Sequence, residues 1–472
     1  MNRGTTHTSL IFALILAVSF MDIMDFGILQ VAIPTIQSQL TISLADSQWI
    51  LGAYGITAAS FLMLSGRAGD LYGQKRIFVA GTVLFTVASL AAGLSPSFLS
   101  LVVFRLVQGI GAAMSTVTAF AIFIGLFQEG RERNKYYGIF IAAISSGFAT
   151  GSLAGGALTV LFGWRSVLFV NVPIGLVAII LAQKFLYDGG HLWRDRRLDL
   201  PGSITVTAGL ILFVYALTNA AKDTFASILT LLPLALSFVV LGGFLALESR
   251  SKSPLMPLWF LKRGSVLDAN IICLLFASTA AVPFLLTIYF QTVLGYSALY
   301  SGLGILPVAL TVFVMGGWAA AKILNRLGAR RTLLGASLLL AAGSALLTQI
   351  AVGEDYLGIL PGTVVFSIGA ALGFPAINAL ALAGTKPGEE GLASGLINTS
   401  FRVGLPVGIA VLLAVAGVFD PPSPGAAAYA ALSGLVMGFR FSLAAATLVG
   451  LICFFLALRI REPSGSTHPA VE

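Results

Sequence analysis

The chain is predicted to be an all-α polytopic membrane protein, two pseudo-symmetric six-helix bundles with two extra transmembrane helices between them, and three observations lead there. Its 472 residues are 57% hydrophobic and 10% charged, with a mean hydropathy of +0.96, whereas about a quarter of the residues of a soluble globule are charged. Apolar stretches of about 20 residues, the length that crosses a ~30 Å hydrocarbon core, fill nearly the whole chain. The Lys and Arg residues fall in alternate gaps between those stretches, the pattern that marks cytoplasmic loops.

Fourteen spans are expected, at 9–34, 46–65, 77–94, 98–127, 137–161, 167–187, 201–220, 225–248, 264–290, 300–324, 331–352, 356–384, 391–418 and 432–460. The first follows Arg3 and is too long for a signal-peptide core, so it is expected to stay attached. The second runs into Arg67, Lys75 and Arg76, the base-rich gap before the third. The fourth carries Arg105 and ends before Arg131, Arg133 and Lys135, which introduce the fifth. The fifth and sixth are separated by Arg165 alone, and the sixth ends at Lys184. Arg194, Arg196 and Arg197 precede the seventh, whose Pro201 suits a first helical turn. Lys222 separates the seventh from the eighth. Arg250, Lys252, Lys262 and Arg263 lie between the eighth and ninth. Lys322, Arg326, Arg330 and Arg331 lie between the tenth and eleventh, Lys386 follows the twelfth, and Arg459 and Arg461 close the fourteenth. Of 27 basic residues, only Arg165 and Lys222 fall on the opposite side and only Arg105, Arg402 and Arg440 inside spans, which places both termini in the cytoplasm. The net charge of +8 is spread over short loops rather than gathered on one face, so nucleic acid is not an expected partner.

An internal repeat divides the chain. Gly66, Arg67, Asp70, Gly73, Lys75 and Arg76 after the second span are echoed by Ala321, Lys322, Asn325, Gly328, Arg330 and Arg331 after the tenth, and Gly111-Ala112-Ala113-Met114 by Gly369-Ala370-Ala371-Leu372 at nearly the same offset. The expected units are an N-terminal six-helix half over 1–187, a linker with two extra spans over 188–263, and a C-terminal half with a cytoplasmic tail over 264–472, the repeat plan of many secondary transporters.

These residues resemble the major facilitator superfamily, and the fourteen-span layout resembles its drug:proton antiporter branch. Gly66 to Arg76 is similar to the superfamily's loop signature at nearly every position. Leu101, Arg105, Gln108, Gly109 and Gly111 resemble the fourth-span signature that holds a membrane arginine. Gly147, Gly151, Ser152, Gly155 and Gly156 resemble the antiporter signature of the fifth span, with Ser152 where that pattern has proline. Met24 to Pro34 resembles the first-span motif of the branch, with Gly27 and Gln30 in place of its Thr and Asn. The resemblance implies a multidrug efflux protein of the plasma membrane that confers antibiotic resistance.

Acidic groups at bilayer depth are costly, so Asp22 and Asp25 are the first functional candidates. Counted from Pro34, Asp25 lies about 13 Å deep and Asp22 about 18 Å deep, and Arg105, counted from Ser97, about 12 Å deep, at 1.5 Å rise per residue. Asp25 and Arg105 are therefore level and are expected to exchange an ion pair: the guanidinium favours the carboxylate, while desolvation and ionised Asp22 favour the acid. Asp25 is the expected proton carrier, Arg105 its modulator, and Asp22 shares that work or meets a cationic group of the substrate. A static ion pair that only joins two helices is the alternative. Arg402, near the midplane and followed by Pro406, is a counter-charge for an anionic or carbonyl-bearing substrate, for Asp22 across the cavity, or for helix ends. Arg440 is expected to reach toward the interface.

By resemblance, Gly66, Arg67, Gly69, Asp70, Gly73, Lys75 and Arg76 form a cytoplasmic gating loop, its glycines permitting tight reversal and close packing and Asp70 aimed at a neighbouring helix terminus. Gly147, Gly151, Gly155 and Gly156 make a smooth stripe for close helix packing. Gln30, Tyr54, Gln108, Asn171, Phe284, Tyr289, Trp318, Asn378 and Asn398 are polar or aromatic residues within spans. With Asp22 and Arg402, Gln30, Gln108, Trp318 and Asn378 are expected to line a cavity suited to a bulky apolar ligand.

No Gly-x-x-x-x-Gly-Lys-Ser/Thr, His-Glu-x-x-His or Gly-x-Ser-x-Gly occurs, so neither ATP hydrolysis through a P-loop nor an embedded enzyme is expected. His7, His191 and His468 lie outside the spans, and Cys273 and Cys453 lie inside them, which speaks against a metal centre and against a disulfide framework. The expected function is export of a hydrophobic organic compound against protons by alternating access. The expected protein is a monomer without cofactor, driven by the proton gradient. A dedicated exporter of one natural product, or a sensor that kept the fold, are the other readings.

Overall fold

In a computed structural model the chain is a succession of long helices, described over residues 2–127, 131–187, 198–223, 225–251, 254, 258–261, 265–383, 385, 389–418 and 428–460. The first eight are α1 (Asn2–Leu40), α2 (Leu44–Ser60), α3 (Leu62–Tyr72), α4 (Gln74–Gly93), α5 (Phe98–Leu126), α6 (Arg131–Phe162), α7 (Ser166–Phe169) and α8 (Asn171–Phe185). Then come α9 (Leu200–Lys222), α10 (Ile228–Arg250) and the short α11 (Leu258–Leu261). They are followed by α12 (Val266–Ser278), α13 (Val282–Thr292), α14 (Ala298–Val314), α15 (Ala320–Leu327), α16 (Ala329–Leu347), α17 (Tyr356–Leu382), α18 (Glu390–Gly417) and α19 (Ala428–Arg459). Each expected apolar stretch coincides with a helix or a run of helices. Among the described residues eleven helices are long and apolar enough to cross a membrane, twelve if α2 and α3 count as one span, and Ser146–Phe162 and Ala298–Val314 are shorter apolar helices.

Local chemistry sets the element boundaries. The Ser43 hydroxyl accepts the Asp46 N–H at 3.1 Å and starts α2, Ser97 and Ser100 cap α5 reciprocally, and Asp199 accepts the Gly202 N–H at 2.9 Å beside Pro201 at the head of α9. The expected second span does not stop at 65: it bends by 46° at Phe61 and continues as α3 to Tyr72. Gly66, Arg67, Gly69 and Asp70 are therefore helical, and of the three glycines only Gly73 makes the reversal, with φ 98°. Its echo Gly328 turns α15 into α16 with φ 79°, a region that costs any residue with a Cβ. The ninth stretch breaks at Thr279–Ala281 because Pro283, at the head of α13, has no N–H for the Thr279 carbonyl. Val282 takes that carbonyl instead in a tighter turn. A wide helical turn, Met315–Ala319, joins α14 to α15.

Close backbone contact assembles the helices. A Cβ at Gly111 of α5 would stand 2.5 Å from Phe85 N of α4, and one at Gly369 of α17 would stand 2.5 Å from Leu340 N of α16, so both echoed glycines do the same work. Within the first eight helices, α1 packs on α5, α6 and α8; among the last eight, α12 packs on α17, α18 and α19. Across the two groups α2 lies on α18 and α14 on α6, while α9 touches both α2 and α18. In α1 67% of the apolar window is buried and in α10 17%, so α1 is central and α10 peripheral. The Leu40 end is tightly joined: Gln30 Nε2 donates to Thr287 Oγ1 at 3.1 Å, Gln291 Nε2 to Val31 O at 2.9 Å, and a Cβ at Gly302 of α14 would be 2.5 Å from Ser152 O of α6.

Candidate functional site

Asp22 and Asp25 stand one helical turn apart on α1, and each meets an arginine from another helix. Asp25 is fully buried. Arg105 Nη1 of α5 donates to its Oδ2 at 2.6 Å, and Gln108 Nε2 and Asn171 Nδ2 donate to its Oδ1 at 3.1 and 2.6 Å. Arg105, also fully buried, is fixed by Nε donating to Ile50 O at 2.9 Å and Nη1 donating to Gln108 Oε1 at 2.7 Å. Its Nη2 has no hydrogen-bond partner among the described residues, and the guanidinium carbon lies 4.4 Å from the centre of the Tyr54 ring, whose negative face attracts it. Asn171 is held in turn by Ser89, whose hydroxyl accepts its amide at 3.1 Å.

Tyr54 links this pair to the second. Its hydroxyl donates to Asp22 Oδ1, while Thr116 Oγ1 and Arg402 Nη2 donate to Asp22 Oδ2 at 3.1 and 3.2 Å. Two carboxylates and two guanidiniums thus alternate along one chain, Asp25, Arg105, Tyr54, Asp22, Arg402, supplied by α1, α2, α5 and α18. The opposite charges and the hydrogen bonds are what make such a cluster tolerable away from water. Protonating Asp25 would remove the negative charge that Arg105 now pairs with and so weaken the ion pair.

The structure brings together Asp25, Arg105 and Gln108, and Asp22 with Arg402. It leaves others apart. Gln30, an expected cavity residue, is buried against α13, and Asn378 turns its amide back to Phe374 O of its own helix at 3.1 Å. Phe284 and Tyr289 are core residues, and Arg440, itself exposed, donates to Ile350 O at 2.7 Å, just past the end of α16. The Trp318 side chain lies outside the described residues, as do those of Arg3 and Arg131 and the whole of Arg194, Arg196, Arg197, Lys252, Lys262, Arg263, Lys386 and Arg461. Thr116 carries no sequence signal: a single threonine in an apolar helix ordinarily bonds its own backbone.

In the loop signature Arg67 donates to Pro254 O, Lys75 Nζ to Gln183 O at 3.0 Å, and Gln74 Nε2 to Asp70 Oδ1 at 3.0 Å, so Asp70 faces the start of α4. In the α6 stripe a Cβ at Gly147 would meet Phe20 O at 3.2 Å, at Gly151 Met24 O at 2.5 Å and at Gly155 Ile28 Cα at 2.8 Å, successive turns of α1. Gly156 departs from the stripe and faces Ala298 O of α14, where a Cβ would stand at 2.7 Å. Among the described residues no cluster of His, Cys, Asp and Glu is arranged to hold a metal.

Comparison with known proteins identifies the family. The family model described as Major Facilitator Superfamily matches residues 15–409. The chain is 34% identical to the cephamycin export protein of Amycolatopsis lactamdurans, over 99% of this chain and 95% of that one. It is 33% identical to the puromycin resistance protein of Streptomyces alboniger, over 94% and 89%. Among solved structures it resembles a nucleoside transporter, TM-score 0.67 at 9% identity over 95% of this chain and 99% of that one. A bacterial homologue of the human lysosomal transporter Spinster gives TM-score 0.66 at 16% identity over 96% of each; at these identities the likeness is one of fold.

Proposed function

The chain belongs to the major facilitator superfamily, a transporter rather than an enzyme, and from that premise we propose that it exports hydrophobic organic compounds across the plasma membrane in exchange for protons, by alternating access. The observation that carries this reading is Asp25: a carboxylate with no exposure, joined to Arg105 and two amides, at the depth where an ionisable group is functional by default. A proton that takes Asp25 frees Arg105, and the Tyr54 ring against that guanidinium carries the change toward Asp22 and Arg402. Asp25 is the proton carrier, Arg105 its modulator, and Asp22 and Arg402 border the substrate cavity. The gradient supplies the energy, and no cofactor is required.

The proposed topology has fourteen spans, both termini cytoplasmic, halves over 1–187 and 264–472, a two-span linker over 188–263, and a monomer as the working unit. Its support is reciprocal packing: α2 on α18 and α14 on α6 are second-on-fifth contacts in both directions, with equal turns at Gly73 and Gly328. The two shorter apolar helices, at Ser146–Phe162 and Ala298–Val314, bring the twelve longer spans to fourteen. With the base-rich ends inside, the tight Leu40 end is external and the cluster opens to the cytoplasm. Arg67, Asp70, Lys75 and Arg76 with Gly66, Gly69 and Gly73 act as the gate. The names of the two relatives, each tied to one antibiotic, suggest antibiotics as trial substrates.

The test is uptake into inside-out vesicles from cells that express the chain, with puromycin and a cephamycin as trial solutes. Accumulation that collapses on adding a protonophore supports the reading. Saturable binding without flux refutes it in favour of a sensor.

A further inference from the structure

The four charges of the cluster differ in exposure. Arg105 and Asp25 have no exposure and the Asp22 side chain 5%, whereas the Arg402 side chain has 22%. Their hydrogen bonding differs in the same order. Asp22 accepts from Tyr54, Thr116 and Arg402, but among the described residues Arg402 makes one hydrogen bond, from Nη2 to Asp22. A guanidinium has five N–H donors in a planar fork that fits a carboxylate, so most of this one is unused. The charge presented to an incoming molecule is therefore positive, and the neighbouring negative charge is already covered.

Arg402 has suitable company. Asn398, four residues earlier on the same face of α18, is exposed; its Nδ2 donates to Ser394 O of its own helix at 2.9 Å, which leaves its Oδ1 as the group facing outward. Phe401 of α18 and Phe374 of α17, both half-buried, form a tilted aromatic pair with ring centres 4.7 Å apart. A cation at this point would meet Arg402 first. An organic anion could take the vacant edge of the guanidinium while Asp22 keeps Tyr54 and Thr116, so no buried charge is stranded.

We propose that Arg402 is the anion-binding subsite of the transport cavity, which selects substrates that combine a carboxylate or similar anionic group with an aromatic or otherwise apolar body. This rests on the transport reading above and narrows its substrate class. With a negative charge leaving as a proton enters, such an exchange is electrogenic and is helped by an inside-negative potential.

The experiment is calorimetric titration of the purified full chain with three compounds that share one aromatic body: naphthoate, naphthamide and naphthylmethylammonium. The carboxylate is expected to bind about tenfold tighter than the amide, the value of a charge-assisted hydrogen bond, and the ammonium weakest. Arg402→Gln should bring the carboxylate down to the amide, and Arg402→Lys, which keeps the charge but loses the fork, should retain part of the preference. If the Gln variant does not fold, a preference unaltered by Arg402→Lys overturns the proposal. It is equally overturned by tighter binding of the ammonium, by no binding of the carboxylate, or by a preference that survives Arg402→Gln. Failure of the vesicle experiment is separate: it would remove proton-driven flux and leave the charge preference of the subsite intact.

Discussion

Replacing Asp25 by Asn tests the proton carrier with the smallest change of shape. In the wild type Oδ2 accepts from Arg105 at 2.6 Å and Oδ1 accepts from Asn171 and Gln108 at 2.6 and 3.1 Å. An amide has only one acceptor oxygen, so it must turn its NH2 either at the guanidinium or at the two amides, donor against donor. Arg105 also becomes an uncompensated buried cation, a loss of about 3–5 kcal/mol for breaking a buried pair. Restoring neutrality with Arg105→Gln in the same chain should recover much of that stability while leaving no titrating group at position 25. In proteoliposomes, both the single and the double variant should show pH-driven transport at background. Solute–solute counterflow, which needs no net proton movement, should fall by about tenfold or less, a change of ~1.4 kcal/mol. Undiminished pH-driven transport by a folded Asp25→Asn protein would refute the assignment. A static pair predicts a different outcome: the double variant regains stability and pH-driven transport together.

Three further outcomes follow from the geometry. Gly155→Leu puts a branched side chain where Ile28 Cα lies 2.8 Å from a bare Cβ, so α6 must leave α1, and a loss of about 3 kcal/mol or more should appear as lower thermal stability in detergent; an unchanged melting temperature would contradict the packing. Gly73→Ala and Gly328→Ala each place a Cβ in extended backbone at positive φ, 98° and 79°, for about 1–3 kcal/mol, and equal losses from the two, read from chemical unfolding, are expected of equivalent turns. Gln30→Leu removes the bond to Thr287 that joins α1 to α13, so a cysteine placed at Ser38 should react faster with a membrane-impermeant thiol reagent, against a background in which native Cys273 and Cys453 are buried; an unaltered rate would mean this contact does not hold the outer end shut.

Height along a helix was legible in the sequence and azimuth was not. A rise of 1.5 Å per residue places Asp25 level with Arg105, and the two are in contact. The same count puts Asn171, Tyr54 and Gln30 at membrane depth without saying which way they point: Asn171 turns to Asp25, Tyr54 lies between the two pairs, and Gln30 faces α13. The contact of Arg402 with Asp22 spans 380 residues of chain and depends on how α18 is rotated against α1, which no local pattern records. The echo at Gly73 and Gly328 was readable because only glycine tolerates that backbone, and identity alone then carries the conformation. Reversal and close packing were both expected of the three glycines, and the structure divides them: Gly73 turns the chain, while a Cβ at Gly69 would stand 2.9 Å from Gln74 Cδ, because a glycine looks the same in sequence whichever it does. The break before α13 follows from Pro283, although apolar composition alone runs through it.

The contact of α6 with α1 at three successive turns has a mechanical consequence. Gly147, Gly151 and Gly155 from one side, and Gly27 from the other, leave no layer of side chains to slide or compress, so in the proposed rocking the two helices would tilt as a single beam. Both acids are bolted to it, and its far edge rests on α14 through Gly156 and Ser152. A hydrogen ion lodged on Asp25 would then need no channel of its own: it would ride across as cargo when that edge pivots. A compound that wedges the pivot would stall the passenger and the solute together.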